Sequence, residues 1–148
     1  MNRKALAVLL LLSAAPLAAE EGVFEKTIPF PRERLATLDF TAHECIIRTV
    51  EVRNYPDEDD IHKARSEDPK DTSWLWWEFF IDNRSAGKRA VKLFVEVLDK
   101  NGQVVKSGDR SSTVDAHETD TVRLSTRMRT LDIVDSPKVR IRAEIRPK

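Results

Sequence analysis

From Trp74 to Asp82 the chain is apolar at nearly every position, yet the pattern keeps a period of two. Side chains alternate along a strand, so Leu75, Trp77, Phe79 and Ile81 fall on one face, while Trp74, Trp76, Glu78 and Phe80 fall on the other. The first set has the composition of a core face. The second is aromatic where an outward face is ordinarily polar. Val91 to Asp99 repeats the mixture, with Val91, Leu93, Val95 and Val97 on one side and Lys92, Phe94, Glu96 and Leu98 on the reverse. Thr119 to Met128 sets Val122, Leu124, Thr126 and Met128 against Arg123, Ser125 and Arg127. The last stretch alternates most regularly, with Val139, Ile141, Ala143 and Ile145 inward and Lys138, Arg140, Arg142, Glu144 and Arg146 outward.

Weaker elements come earlier. Leu35 to Phe40 predicts a short strand and Ile46 to Arg53 a better one, in which Val50 and Val52 oppose Thr49, Glu51 and Arg53, and Arg48 falls on the apolar side. Val23 to Pro31 holds Phe24, Ile28 and Phe30 with two prolines, which suits an extended arm or an edge strand because proline cannot donate to a ladder. Asp99-Lys100-Asn101-Gly102 predicts a hairpin with Gly102 at a positive φ, followed by a short run Gln103 to Lys106 and a loop from Ser107 to Ser112. Residues 54–73 are crowded with charges and prolines and predict a long surface loop, with room for one helical turn from Ile61 to Glu67. Short strands, turns and the lack of a long amphipathic helix predict an all-β sandwich.

The N-terminus changes the picture of where this domain works. Arg3 and Lys4 precede an apolar run from Ala5 to Leu12, and Ala14, Ala15, Ala18 and Ala19 follow before Glu20. That order of basic, apolar and small residues predicts a secretory signal peptide over residues 1–19, cleaved after Ala19 or its neighbour Ala18. The apolar run is shorter than the roughly 20 residues a bilayer span needs, so no stable membrane insertion is expected. Residues 20–148 then form one domain, in a periplasmic or secreted location. Losing Arg3 and Lys4 from 25 basic residues leaves 23 against 25 acidic ones, a formal charge of −2 that disfavours nucleic acid as a partner. The single cysteine, Cys45, permits no internal disulfide, so packing must supply stability, and its interior position rules it out as a lipid-bearing first residue.

The strand ending at Asp82-Asn83, the polar turn after it, Val91 to Asp99, Asn101-Gly102 and Val104-Val105 follow a familiar order, as does Ala116-His117-Glu118-Thr119 leading into Val122 to Leu124. From Trp74 to Ile145 this order resembles the FxLyD-type immunoglobulin-like domains of exported bacterial proteins. Of the positions that name that family, Asp99 is present, and Val95, Val97 and Leu98 stand at the others. The resemblance implies a single immunoglobulin-like antiparallel β-sandwich acting as an interaction or accessory module. It carries over no active-site residue.

Candidate chemistry is sparse. Trp74, Trp76, Phe80 and Phe94 need cover, since burying a large apolar side chain is worth roughly 1.5–3 kcal/mol. Either the chain itself covers them, through an arm carrying Val23, Phe24, Ile28 and Phe30 or through a second sheet that buries both sides of a central strand, or a partner does. Arg123, Arg127 and Arg129 with Lys138, Arg140, Arg142 and Arg146 would form a basic stripe if their strands were neighbours, suited to an acidic partner. Asp57, Glu58, Asp59 and Asp60 offer oxygens for calcium, without the spacing of an EF-hand loop. His43, Cys45, His62 and His117 offer metal ligands without paired spacing, and a Cys45 nucleophile with His43 or His62 as base lacks an orienting third group. No cofactor motif is present. The expectation is a non-catalytic module of the cell envelope whose protein partner docks through Trp74, Trp76, Phe80, Phe94, Arg127, Arg140 and Arg142, with a ligand- or metal-binding role for the acidic loop as the alternative.

Overall fold

The computed structural model describes residues 21–32 and 34–148. The expected signal peptide, residues 1–19, lies outside them. The described residues are mostly β, 61% strand, and form a sandwich of two four-stranded antiparallel sheets. In chain order the elements are β1 (Val23–Pro29), β2 (Leu35–Ala42), β3 (Cys45–Arg53), α1 (Glu58–Ser66), β4 (Thr72–Asn83), β5 (Arg89–Leu98), β6 (Val104–Val114), β7 (Thr119–Arg129), α2 (Thr130–Asp135) and β8 (Lys138–Pro147). The first sheet has the order β1-β8-β5-β6 and the second β2-β3-β4-β7.

The period-two faces do what their composition dictates. Leu75, Trp77, Phe79 and Ile81 of β4 meet Val91, Leu93, Val95 and Val97 of β5 and the inward residues of β8 in one core, all buried. The Trp77 indole reaches a partner inside it, donating from Nε1 to Thr126 Oγ1 at 3.0 Å, so the one polar edge of the ring is satisfied. Arg48 is out of phase for a reason. Pairing between β3 and β4 shifts register between Ile47 and Thr49, and the extra residue lets both Ile47 and Val50 face the core while Arg48 turns out to Asp82 at 2.9 Å.

Of the two forms expected for the N-terminal segment, an extended arm or an edge strand, it takes the second: β1 is paired along its whole length with β8. It is therefore no cover for the outward aromatics, and two further expectations, on residues 107–112 and 54–73, are also corrected. The apolar side of β1 turns inward, where Ile28 and Phe30 are buried and Phe24 stacks on Phe40 at 5.1 Å. Ser107 to Ser112 is not a loop, because β6 runs unbroken to Val114 on backbone pairing with β5 despite few apolar side chains. Residues 54–73 hold a full helix, not one turn. Asp57 accepts from the Asp60 amide at 2.8 Å and Asp60 accepts from the Asp57 amide at 3.3 Å, a capping box that starts α1 at Glu58. That helix buries Ala64 and packs against α2, whose Ile133 is buried, and together they lie at one end of the sandwich.

Tight turns occupy the other end. His43 and Glu44 join β2 to β3 at φ 50° and 59°, the left-handed pair that a two-residue hairpin requires. Buried Asn83 ties three segments there: its side-chain amide donates to the carbonyls of Gly87, Val114 and Asp115 at 2.9, 3.0 and 3.0 Å, and its Oδ1 accepts from the Ser85 amide and hydroxyl at 3.0 and 2.7 Å. At the helix end, Gly102, at φ 78°, closes the β5–β6 hairpin as its sequence predicts.

Candidate functional site

The outward aromatics of β4 lie on the second sheet and Phe94 of β5 lies on the first, so the two sets face opposite ways. The same division runs through the basic residues. Strand β7 is the edge of the second sheet and β8 is interior to the first, so Arg123 and Arg127 are not neighbours of Arg140 and Arg142, and the single basic stripe does not form.

On the second sheet, register places Arg127 opposite Trp74 and Arg123 opposite Glu78 on one side of β4, and Arg53 opposite Trp76 on the other. The Arg127 guanidinium lies 5.8 Å from the Trp74 ring centre and donates to Thr72 Oγ1 at 2.9 Å. Arg123 lies 5.5 Å from the Trp76 ring, and the two indoles are near parallel with centres 6.4 Å apart. Glu78 is held from both sides: Arg53 donates to Oε2 at 2.8 Å and Arg123 donates to Oε1. Those hydrogen bonds, Arg53's first, outweigh the desolvation of the carboxyl and keep it below the usual carboxylate range. Trp74 stays 51% exposed, Phe80 39% and Leu35 of β2 62%. Leu35, Phe80, Arg53 and Glu78 line a shallow hollow of about 440 Å³ on this face.

The residues expected at a contact site on the first sheet are differently occupied. Phe94 sits between Lys92 Nζ, 4.9 Å from its ring centre, and the Arg142 guanidinium at 4.4 Å. Arg140 is engaged by Glu96 at 2.9 Å and by Glu25 at 3.5 Å. Phe94 is therefore half-buried between two cations, whereas Trp74 and Phe80 are exposed.

The remaining candidates are dispersed. Cys45 is fully buried, and burial pushes its thiol above the usual range, against the pull of Arg89. His43 and His117 lie in turns at the Asn83 end, where Cys45 is also found, while His62 is on α1 at the opposite end and away from Cys45. Asp57 and Asp60 are engaged in capping α1, and among the described residues no cluster of three or more His, Cys, Asp or Glu could hold a metal ion.

Glu78 is on the outward face of β4 with Trp76 and Phe80, as the alternation predicts, but was not among the expected contact residues; Leu35 and Arg53 were not expected on this face at all, because they reach it only through the register of β2 and β3. Compared with protein-family models and with curated proteins, the chain matches none.

Proposed function

We propose that this chain is an exported, non-catalytic interaction module of the cell envelope, and that it receives a protein partner on the outer face of the second sheet. The carrying observation is the open cluster of Trp74, Phe80 and Leu35, at 51%, 39% and 62% exposure, set among Arg53, Arg123 and Arg127. Large aromatic and arginine side chains dominate the energetics of protein interfaces, and covering what Trp74 and Phe80 still expose is worth about 1 kcal/mol each. Interlocking of the arginines with the indoles and Glu78 holds the face in one arrangement before contact, which lowers the entropy cost of binding. Phe94, Arg140 and Arg142 are outside this surface.

The signal-peptide pattern of residues 1–19 supports export. An immunoglobulin-like relationship draws support from the chain path. Strand β4 crosses to β5 and β6 in the other sheet, β7 returns beside β4, and β8 crosses back beside β5. That is the Greek-key core of such sandwiches. The position of their last strand, beside β8, is filled here by β1 from the N-terminus.

A photo-crosslinking side chain placed at Leu35, at Phe80 or at Phe94 in the living envelope tests the docking face. One discrete adduct is expected from Leu35 and Phe80, lost when Trp74→Ala and Arg127→Ala are added. Equal adducts from Phe94, or none from either β2 or β4, overturn the proposal. Export is tested by the N-terminus of the recovered protein, expected at Glu20 or Ala19; a cytoplasmic form still starting at Met1 overturns that part.

A further inference from the structure

The outer face of the first sheet carries a separate feature, set by one small residue. Register puts Ala90 of β5 beside Arg146 of β8 and Thr113 of β6, and one row further along it puts Lys92 beside Glu144 and Ser111. These positions all point outward, and Ala90 stops at its Cβ while its neighbours rise around it. The result is a hollow of about 420 Å³, walled by Lys92, Arg146 and Lys148, the hydroxyls of Ser111 and Thr113, and Glu144.

The polar groups of this wall are arranged for an anion. Lys148 Nζ donates to Thr113 Oγ1 at 2.9 Å, which holds the ammonium at the rim. Glu144 pairs outward with Arg142 at 3.7 Å. Among the described residues, no carboxylate lies within 4.0 Å of the side-chain nitrogens of Lys92, Arg146 or Lys148. Three cations, of which Lys92 also rests its Nζ 4.9 Å from the Phe94 ring, against one carboxylate leave a side-chain charge of +2 around a cavity that also presents hydroxyls.

We propose that this hollow binds a phosphate monoester. Such a group carries about −1.5 to −2 at neutral pH, which matches the charge of the wall. Its three terminal oxygens accept from ammonium, guanidinium and hydroxyl donors at once, and bonds of that kind are the strong, charge-assisted ones. A hollow of this size also leaves room for the glycerol or sugar that bears the phosphate. The monoester comes from a soluble glycerol or sugar phosphate or from a lipid headgroup. This site is independent of the aromatic face, which lies on the other side of the sandwich.

The test is amide-resolved NMR titration of the purified protein with inorganic phosphate and with glycerol 3-phosphate at constant ionic strength. Flotation with vesicles containing phosphatidic acid, or phosphatidylcholine alone, runs beside it. Shifts are expected at Ala90–Lys92, Ser111–Thr113 and Glu144–Lys148. Lys92→Gln with Arg146→Gln should weaken binding about tenfold or more, the loss of at least one charge-assisted bond. Ala90→Leu keeps every charge but fills the hollow, and should abolish binding with the thermal midpoint unchanged. Binding only to phosphatidic acid vesicles, still sensitive to Ala90→Leu, assigns the source as a lipid headgroup. Three results overturn the proposal: no binding in any arm, binding indifferent to Ala90→Leu, or shifts spread equally over Arg123 and Arg127.

Discussion

Glu78 sits on the exposed side of β4 between Trp76 and Phe80, yet its side chain is only 11% accessible because Arg53 and Arg123 close over it. Hydrogen bonds from those guanidiniums hold its folded pKa below the unfolded value of about 4.3. Between those two values the unfolded chain binds the proton and the folded chain does not. The contribution to stability is therefore complete above about pH 4.3 and is lost as pH falls through the folded pKa. Urea denaturation should show Glu78→Gln less stable than the parent at pH 6, with the gap narrowing below pH ~4. A gap that stays constant to pH 3 would sink the claim. Asp82, lowered chiefly by its hydrogen bond from Arg48, adds to the same acid sensitivity and remains in the variant. None of this was legible in sequence, since Arg53, Glu78 and Arg123 lie on three different strands and meet only across the ladder.

At the scale of elements, the strands with a clean period of two were legible, and so in outline were β1, β2 and β3; the length of β6 and helix α1 were not. Strand β8, β7 and the inner faces of β4 and β5 announce themselves because one face must be buried. Strand β6 is polar along most of its length and is held by pairing to β5, so side-chain pattern could not reveal it. Its path has one exacting position. A Cβ on Gly108 would stand 2.9 Å from Thr126 Cγ2 and 3.3 Å from Leu124 Cδ1, and Thr126 cannot turn aside without giving up its bond from Trp77. Gly108→Val is expected to cost about 1–3 kcal/mol as overpacking, lowering the thermal midpoint by several degrees. Thr126→Ser, which keeps the hydroxyl and deletes the methyl, should recover part of that loss. If it recovers nothing, the close approach of β6 to β7 is not what Gly108 serves. Helix α1 was underestimated for a comparable reason: Asp57 and Asp60 looked like a solvated acidic run, and their reciprocal capping is visible only once the backbone turns.

For the whole molecule, the decisive piece is the N-terminal strand. β1 completes the first sheet and adds Ile28 and Phe30 to the core, with Phe30 against Tyr55 at 5.5 Å and Trp77 at 5.6 Å. Losing two such side chains costs about 2–5 kcal/mol each, against a total stability of about 5–15 kcal/mol for a domain. A chain beginning at Arg32 should therefore lose cooperative unfolding and near-ultraviolet dichroism, whereas one beginning at Glu20 should retain both. Retention of the parent's midpoint by the shorter chain would show β1 to be dispensable. The same strand explains why the aromatic face of β4 stays open: the segment expected to cover it is committed to the opposite sheet.

The alternation of side chains by itself determined a β-sandwich, the inward residues of its central strands and the hairpin at Gly102, because those depend on local geometry and on burying one face. It also marked Trp74, Trp76 and Phe80 as outward aromatics. Only the tertiary structure decided which strands share a sheet. That assignment sent Phe94, Arg140 and Arg142 to one face and the indoles of β4 with Arg53, Arg123 and Arg127 to the other. Strand order rests on contacts between residues far apart in the chain, where the period of any one segment carries no information.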